Sequence, residues 1–172
     1  MTNRIDIHKT ILDAWKTTNQ TTIFLIENIP LDLWNEKVGG SSQQTIGMIS
    51  SHIHNTRCRW IKMIVKGQKI KVPVKVDQRI ASRKEVLRAL NQSSQSMLKL
   101  LKAIIDNGGK LPTKPAWLNF PNDVSHFLSY FVAHEAHHRG QIILLARQFN
   151  HRLPPEVSNG MWLWTKRLKE AK

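Results

Sequence analysis

Apolar residues recur at every third or fourth position through four long stretches of this 172-residue chain, and each stretch stops at a glycine or proline break. An α-helix turns once in ~3.6 residues, so this spacing gathers the apolar side chains on one face of each segment. In residues 5–28 the stripe is Ile7, Ile11, Leu12, Trp15, Thr22 and Leu25, closed by Ile29-Pro30 and the Gly39-Gly40 pair. From about Thr45 to Lys66 it is Ile46, Ile49, Ile53, Thr56, Trp60 and Met63, ending near Gly67. Ser82-Arg83-Lys84-Glu85 matches the capping box, in which the Ser hydroxyl and the Glu carboxylate satisfy amides at a helix start. It opens a third helix on Val86, Leu90, Met97, Leu101, Ile104 and Ile105, which Asn107-Gly108-Gly109 should stop. Asn122 and Asp123 are N-cap candidates for the longest helix, about 123–149, whose several apolar faces predict the central, most buried position. After Pro154-Pro155, the tail 157–170 predicts a short amphipathic helix carrying Met161, Trp162, Leu163 and Trp164.

Between these elements, residues 67–82 read as a loop, because Pro73 removes a backbone donor from the alternating Val72, Val74 and Val76. The stretch 110–121, with Pro112, Pro115 and Pro121, is a long connection that Trp117 and Phe120 would pin. No pair of strands is evident. The expected fold is therefore all-α, a four-helix bundle with a short additional C-terminal helix, formed as one domain over residues 1–172.

Composition narrows the function classes. With 41% hydrophobic and 22% charged residues, the chain can bury a core and is not expected to be disordered. The longest apolar run, Ile142 to Ala146, is far short of a membrane span, and the N-terminus carries no signal-peptide core. Cys58 stands alone, which excludes an internal disulfide and a cysteine-rich zinc module. A cytoplasmic protein without a membrane partner is expected. Lys and Arg number 26 against 12 Asp and Glu, a net charge of +14 that suggests an anionic partner. Lys66, Lys69, Lys71, Lys75, Arg79, Arg83 and Lys84 concentrate that charge, so a binding module for nucleic acid or another anion is the alternative reading. The cluster lacks interleaved aromatics and a reader motif, which makes a solvated basic loop the default.

The histidines carry more information. Six of eight fall in two helical segments: His52 and His54 in the second, and His126, His134, His137 and His138 in the fourth. His134 and His138 sit one helical turn apart on the stripe of Phe127, Phe131, Ile142 and Leu145. His52 follows Ile49 by three residues and shares its stripe, whereas His54 is rotated away toward Ser50 and Arg57. Three inward imidazoles from two helices can offer three nitrogen ligands to one ion and leave a further position open. Several imidazoles buried without partners would be costly, so His52, His134 and His138 are the expected metal ligands. His54 lies close enough to leave the choice between it and His52 open. His137, beside Tyr130 and Leu144, is not among the expected ligands, and His8, His126 and His151 read as solvated or locally paired.

The same residues also satisfy H-E-x-x-H, with Glu135 in the place of a zinc protease's general base. Leu144 occupies the position of the third histidine in the extended motif, so a zinc protease is the less favoured reading.

Ala133-His134-Glu135-Ala136-His137-His138-Arg139-Gly140-Gln141 resembles the H-x-x-x-H-R-G-Q signature of the DinB-like family, and Gly47, His52 and Trp60 resemble its second-helix segment. The resemblance implies a DinB/YfiT-type four-helix bundle, commonly dimeric, that binds nickel or zinc through His52, His134 and His138. It also implies, as in some relatives, a transferase or isomerase that uses a low-molecular-weight thiol. An open position on such a metal would lower the pKa of a bound water or thiol, so the expected activity is a metal-dependent thiol transferase or hydrolase acting on a small molecule. Arg59, seven residues from His52, is the candidate cation for an anionic substrate. Gln141, three after His138, is a candidate donor to that ring, and Gly140 is expected to allow close helix packing. Cys58, four from His54, would complete a lower-ranked soft site.

Overall fold

The computed structural model describes residues 4–37, 44–65, 67, 69–113 and 119–171. The Gly39-Gly40 break, Lys66, Pro115 and Trp117 lie outside the described residues. Four long helices are present: α1 (Ile7–Glu27), α2 (Ile46–Ile64), α3 (Arg83–Asp106) and α4 (Val124–Gln148). Each begins on a polar side chain that accepts from an otherwise unpaired amide of its first turn, namely Asp6, Thr45, Ser82 and Asp123. Ser82 and Glu85 form the expected reciprocal capping box. At the end of α3, Gly108 and Gly109 take φ of 67° and 79°, and their amides close back on the carbonyls of Ile105 and Ile104.

Two apolar clusters fix the topology. One joins Ile23 to Ile29 at the end of α1, Ile46 to Ile53 at the start of α2, Val86 and Leu90 at the start of α3, and Ile142 and Ala146 late in α4. The other joins Trp15, Trp60 to Ile64, Met97 to Ile104, and Phe127 with Phe131. Thus α1 and α4 run one way and α2 and α3 the other. Both α1 and α2 pack against α3 and α4, so α1 lies diagonally across from α2, and α3 across from α4. Among the described residues, no helix is long and apolar enough to cross a membrane.

Between the two clusters lies a buried polar layer to which every long helix contributes: Asn19 and Thr22, Arg57, Ser93, and Glu135. Arg57 and Glu135 form its centre. The guanidinium donates from Nε to Oε1 at 2.8 Å and from Nη2 to Oε2 at 2.9 Å, while Nη1 donates to Asn19 Oδ1 at 2.8 Å and to the Leu90 carbonyl at 3.0 Å. The Thr22 hydroxyl donates to Glu135 Oε2 at 2.8 Å, and the face of Trp15 lies 4.7 Å from the guanidinium carbon.

Two expectations need correction. α4 is not the most buried helix: six of its 25 residues are buried, against twelve of 19 in α2. The reason is that α2 fills the angle between α3 and α4, while Ala133, Ala136, His137 and Leu144 leave much of α4 exposed. The tail is also divided. Residues Pro155–Gly160 form α5 and Trp164–Glu170 form α6. At the break, Leu163 takes an inverse γ-turn (φ −77°, ψ 63°), with the Trp164 amide donating to the Trp162 carbonyl at 2.8 Å. The connector 69–82 contains no strand, as Pro73 implied. Phe120 packs its edge on Trp60 at a centroid distance of 5.2 Å, so this part of the long connection is pinned as expected.

Candidate metal centre

On adjacent antiparallel helices, α2 supplies His52 and α4 supplies His134 and His138. One ring nitrogen from each lies within 4.8 Å of the others. Ring centroids are 4.4 Å apart for His134 and His138, 4.7 Å for His52 and His138, and 5.5 Å for His52 and His134. All three are half-buried, at the edge of the apolar seam rather than deep within it. This is the grouping expected from helical spacing, and His52 rather than His54 is the α2 histidine that joins it.

The neighbours hold the rings in place. His138 Nδ1 donates to Gln141 Oε1 at 2.7 Å, which leaves its Nε2 lone pair pointing at His134 Nε2, 3.1 Å away. Tyr130 stacks on His134 with centroids 5.5 Å apart, and Trp60 backs Tyr130 at 4.8 Å. The Thr56 hydroxyl lies 3.3 Å from His52 Nε2. His134 Nδ1 is buried with no hydrogen-bond partner. Three rings whose ligand nitrogens lie within 4.8 Å of one another, with Nε2 of His134 and of His138 3.1 Å apart, fit a site for a metal ion.

Electrostatics point the same way. Burial, and then the neighbouring rings, push His134 down to about 4. Burial, followed by the repulsion of His138, also lowers His52. For His138, burial lowers the pKa against the opposing pull of its bond to Gln141. Neutral imidazoles with free lone pairs are what a metal ligand set needs.

The other expected candidates are placed as follows. His54 is fully buried on the opposite side of α2, where Nε2 donates to the Val74 carbonyl at 2.9 Å and anchors the connector. Cys58 Sγ lies 3.3 Å from His54 Nε2, but burial pushes the thiol up to about 11, so this pair holds no ready thiolate. Arg59 is exposed on α2, and His137 is exposed with its ring 5.1 Å from that of His138. His126 bonds Asp123 at the start of α4 at 2.7 Å. Lys69, Lys71, Lys75, Arg79 and Lys84 are exposed, whereas Arg83 is half-buried and donates to the Ile29 carbonyl at 2.6 Å. A Cβ built at Gly140 would meet nothing within 4 Å, so this glycine does not serve close helix packing. The glycine that permits a close approach is Gly47, where a Cβ would lie 2.8 Å from Nε1 of Trp34 in the turn between α1 and α2.

Glu135 overturns the protease reading. It points away from the three histidines into the polar layer, with both oxygens taken by Arg57. A carboxylate held this way has no access to a water at the metal site, so the H-E-x-x-H match is a coincidence of a His-rich helix with a structural acid. Arg57, off the apolar stripe of α2, is the residue of this layer that helical spacing does not announce. A signal was available, since Glu135 is the sole acid within α4 and a buried carboxylate requires a cation.

The fold and the site together define a four-helix bundle with a three-histidine group, able to hold a metal ion, between its second and fourth helices. The DinB family model matches residues 1–159, and the chain belongs to the DinB family. Among curated proteins, none matches the chain.

Proposed function

We propose that this protein is a divalent-metal-dependent enzyme, a thiol transferase or hydrolase, whose metal is nickel or zinc held by His52, His134 and His138. The observation that supports it is the convergence of three imidazoles on one point, all shifted by burial toward the neutral form. A metal bound there through three protein ligands would lower the pKa of a thiol or water and supply a nucleophile near neutral pH. The chain's own residues account for the rest. Gln141 fixes the His138 ring by accepting from Nδ1, so that Nε2 presents a lone pair. Tyr130, Trp60 and Phe120 form an aromatic wall beside His134 that limits water on that side. Arg59, exposed on α2 seven residues after His52, is the cation assigned to orient an anionic substrate.

Protein purified with its metal is analysed for nickel and zinc, and the loaded protein is screened with low-molecular-weight thiols and electrophiles. Turnover that requires both metal and thiol supports the transferase. Turnover that requires metal alone supports the hydrolase. If His134→Ala protein retains as much nickel or zinc, as tightly, as the unaltered chain, the ligand assignment fails.

A further inference from the structure

α4 presents a second face, turned away from the histidines toward α1, on which Val132, Ala136, Arg139 and Ile143 recur at helical spacing. There α1, α4 and the tail enclose a cavity of about 540 Å³. Its outer wall is built by residues that follow the 1–159 family match. α6 packs along α1, with the Arg167 guanidinium 3.8 Å from the Phe24 ring centre, and this brings Trp162 and Trp164 to the rim. Both tryptophans remain largely exposed, at 74% and 59%.

The chemistry of the walls says what would occupy it. The volume falls in the range of about 300–1,000 Å³ typical of small-molecule pockets. Ala14, Val132, Ala136, Ile143 and the two tryptophans make the lining mainly apolar. Among the lining residues, Thr10, Thr17 and Thr21 spend their hydroxyls on carbonyls four residues back, and the one cation is Arg139. Its Nη1 donates to the Thr22 hydroxyl at 2.9 Å, and that hydroxyl donates to Glu135. Glu135, however, is already engaged by Arg57 through both oxygens. Among the described residues no ion pair ties Arg139 to a carboxylate, and this half-buried guanidinium lines the cavity. Asp13, the other charged residue in the lining, is paired with Lys9 and Lys16 and adds no net negative charge.

We propose that this cavity binds a small amphipathic anion, an aryl or alkyl acid. Its apolar body lies between α1, α4 and the tail tryptophans, and its acid group sits on Arg139. Such a ligand supplies Arg139 with a negative charge and covers the exposed indoles, and a chain of net charge +14 favours its approach. The site lies across α4 from the histidines and does not depend on a metal being bound.

The test uses two fluorescent probes with similar apolar bodies on the full chain: anilinonaphthalene sulfonate, which is anionic, and phenylnaphthylamine, which is not. The expected result is saturable binding of one sulfonate dye per chain with quenching of tryptophan emission. In Arg139→Gln the sulfonate dye should bind about tenfold more weakly or worse, from the lost charged hydrogen bond, with the neutral dye unchanged. Gly140→Leu projects a side chain into the space beside Gly140 and should block both dyes while leaving the helical circular dichroism intact. If Arg139→Gln fails to fold, the unaltered chain and Gly140→Leu still decide. The proposal is overturned if the unaltered chain binds neither dye saturably, if it binds the neutral dye as tightly as the sulfonate, or if Gly140→Leu binds both as before. It is equally overturned if the unaltered chain is a dimer that Gly140→Leu separates, since the face would then belong to a second copy.

Discussion

Arg57 on α2 and Glu135 on α4 meet as a bidentate ion pair in the middle of the bundle, with no solvent reaching either side chain. Glu135 stands between two histidines of the candidate metal centre in sequence yet turns aside from them into the polar layer of the bundle. The pair ties together the two helices that carry the histidines, so the spacing of His52 from His134 and His138 depends on it.

Removing one partner leaves the other charge buried and uncompensated, which typically costs about 3–5 kcal/mol. Arg57→Ala and Glu135→Ala are each expected to lose stability on that scale in chemical denaturation. The double variant Arg57→Met/Glu135→Leu should recover much of it, because no buried charge is then stranded. Singles close to the unaltered stability would show that water reaches the pair.

The pH dependence of the metal-free protein follows from the histidines. His134 falls from 6.5 to about 4 in the fold, and His52 and His138 also shift down. A base with a depressed folded pKa binds fewer protons when folded than when unfolded. Its stability contribution is therefore present above the unfolded value near 6.5 and is lost as pH falls toward about 4, where the His134 contribution levels off. His134→Leu should make the denaturation midpoint less sensitive to pH across that window. An unchanged slope would mean that His134 is already charged in the fold.

Much of the bundle and the three-histidine grouping was legible from spacing alone, because helix caps and stripes are local signals. His134 and His138 are one turn apart whatever packs around them, and Ile49 places His52 by the same argument. The polar layer was not legible in this way. Arg57 lies off the apolar stripe of α2, and only the packing of α2 against both α3 and α4 buries that second face. The same non-local cause explains why α4, apolar on several sides, remains half open. What would cover its α1-facing side is the tail, and the turn at Leu163 that aims α6 onto α1 carries no glycine or proline to announce it.

Two glycines should respond in opposite directions to the same change. Gly140 lies exposed within α4, and an added methyl meets no atom within 4 Å, so Gly140→Ala should stabilise by about 0.5–1 kcal/mol through helix propensity. Gly47 lies in the first turn of α2, where a methyl would come within 2.8 Å of Trp34, whose ring nitrogen is fixed by the Ala81 carbonyl at 3.0 Å. Gly47→Ala should therefore destabilise by about 1–3 kcal/mol from overpacking. Thermal melts of the two variants check the signs, and a stabilised Gly47→Ala would show that Trp34 moves freely.

Gln141 offers a separation between holding a metal and building a helix. Its Oε1 accepts from His138 Nδ1 at 2.7 Å, which selects the tautomer whose Nε2 is free to ligate. Gln141→Leu keeps the helix propensity and much of the bulk of the side chain but removes the acceptor, so the fold should survive with little change in its melting temperature. Loss of such an outer partner typically weakens metal affinity by about 10–100-fold. Gln141→Glu, which restores an acceptor, should recover tight binding and raise the affinity of the ring for protons as well. Titration of the metal-free variants with zinc, read by calorimetry, distinguishes these cases. Equal zinc affinity in Gln141→Leu and the unaltered chain would mean that His138 does not ligate through Nε2.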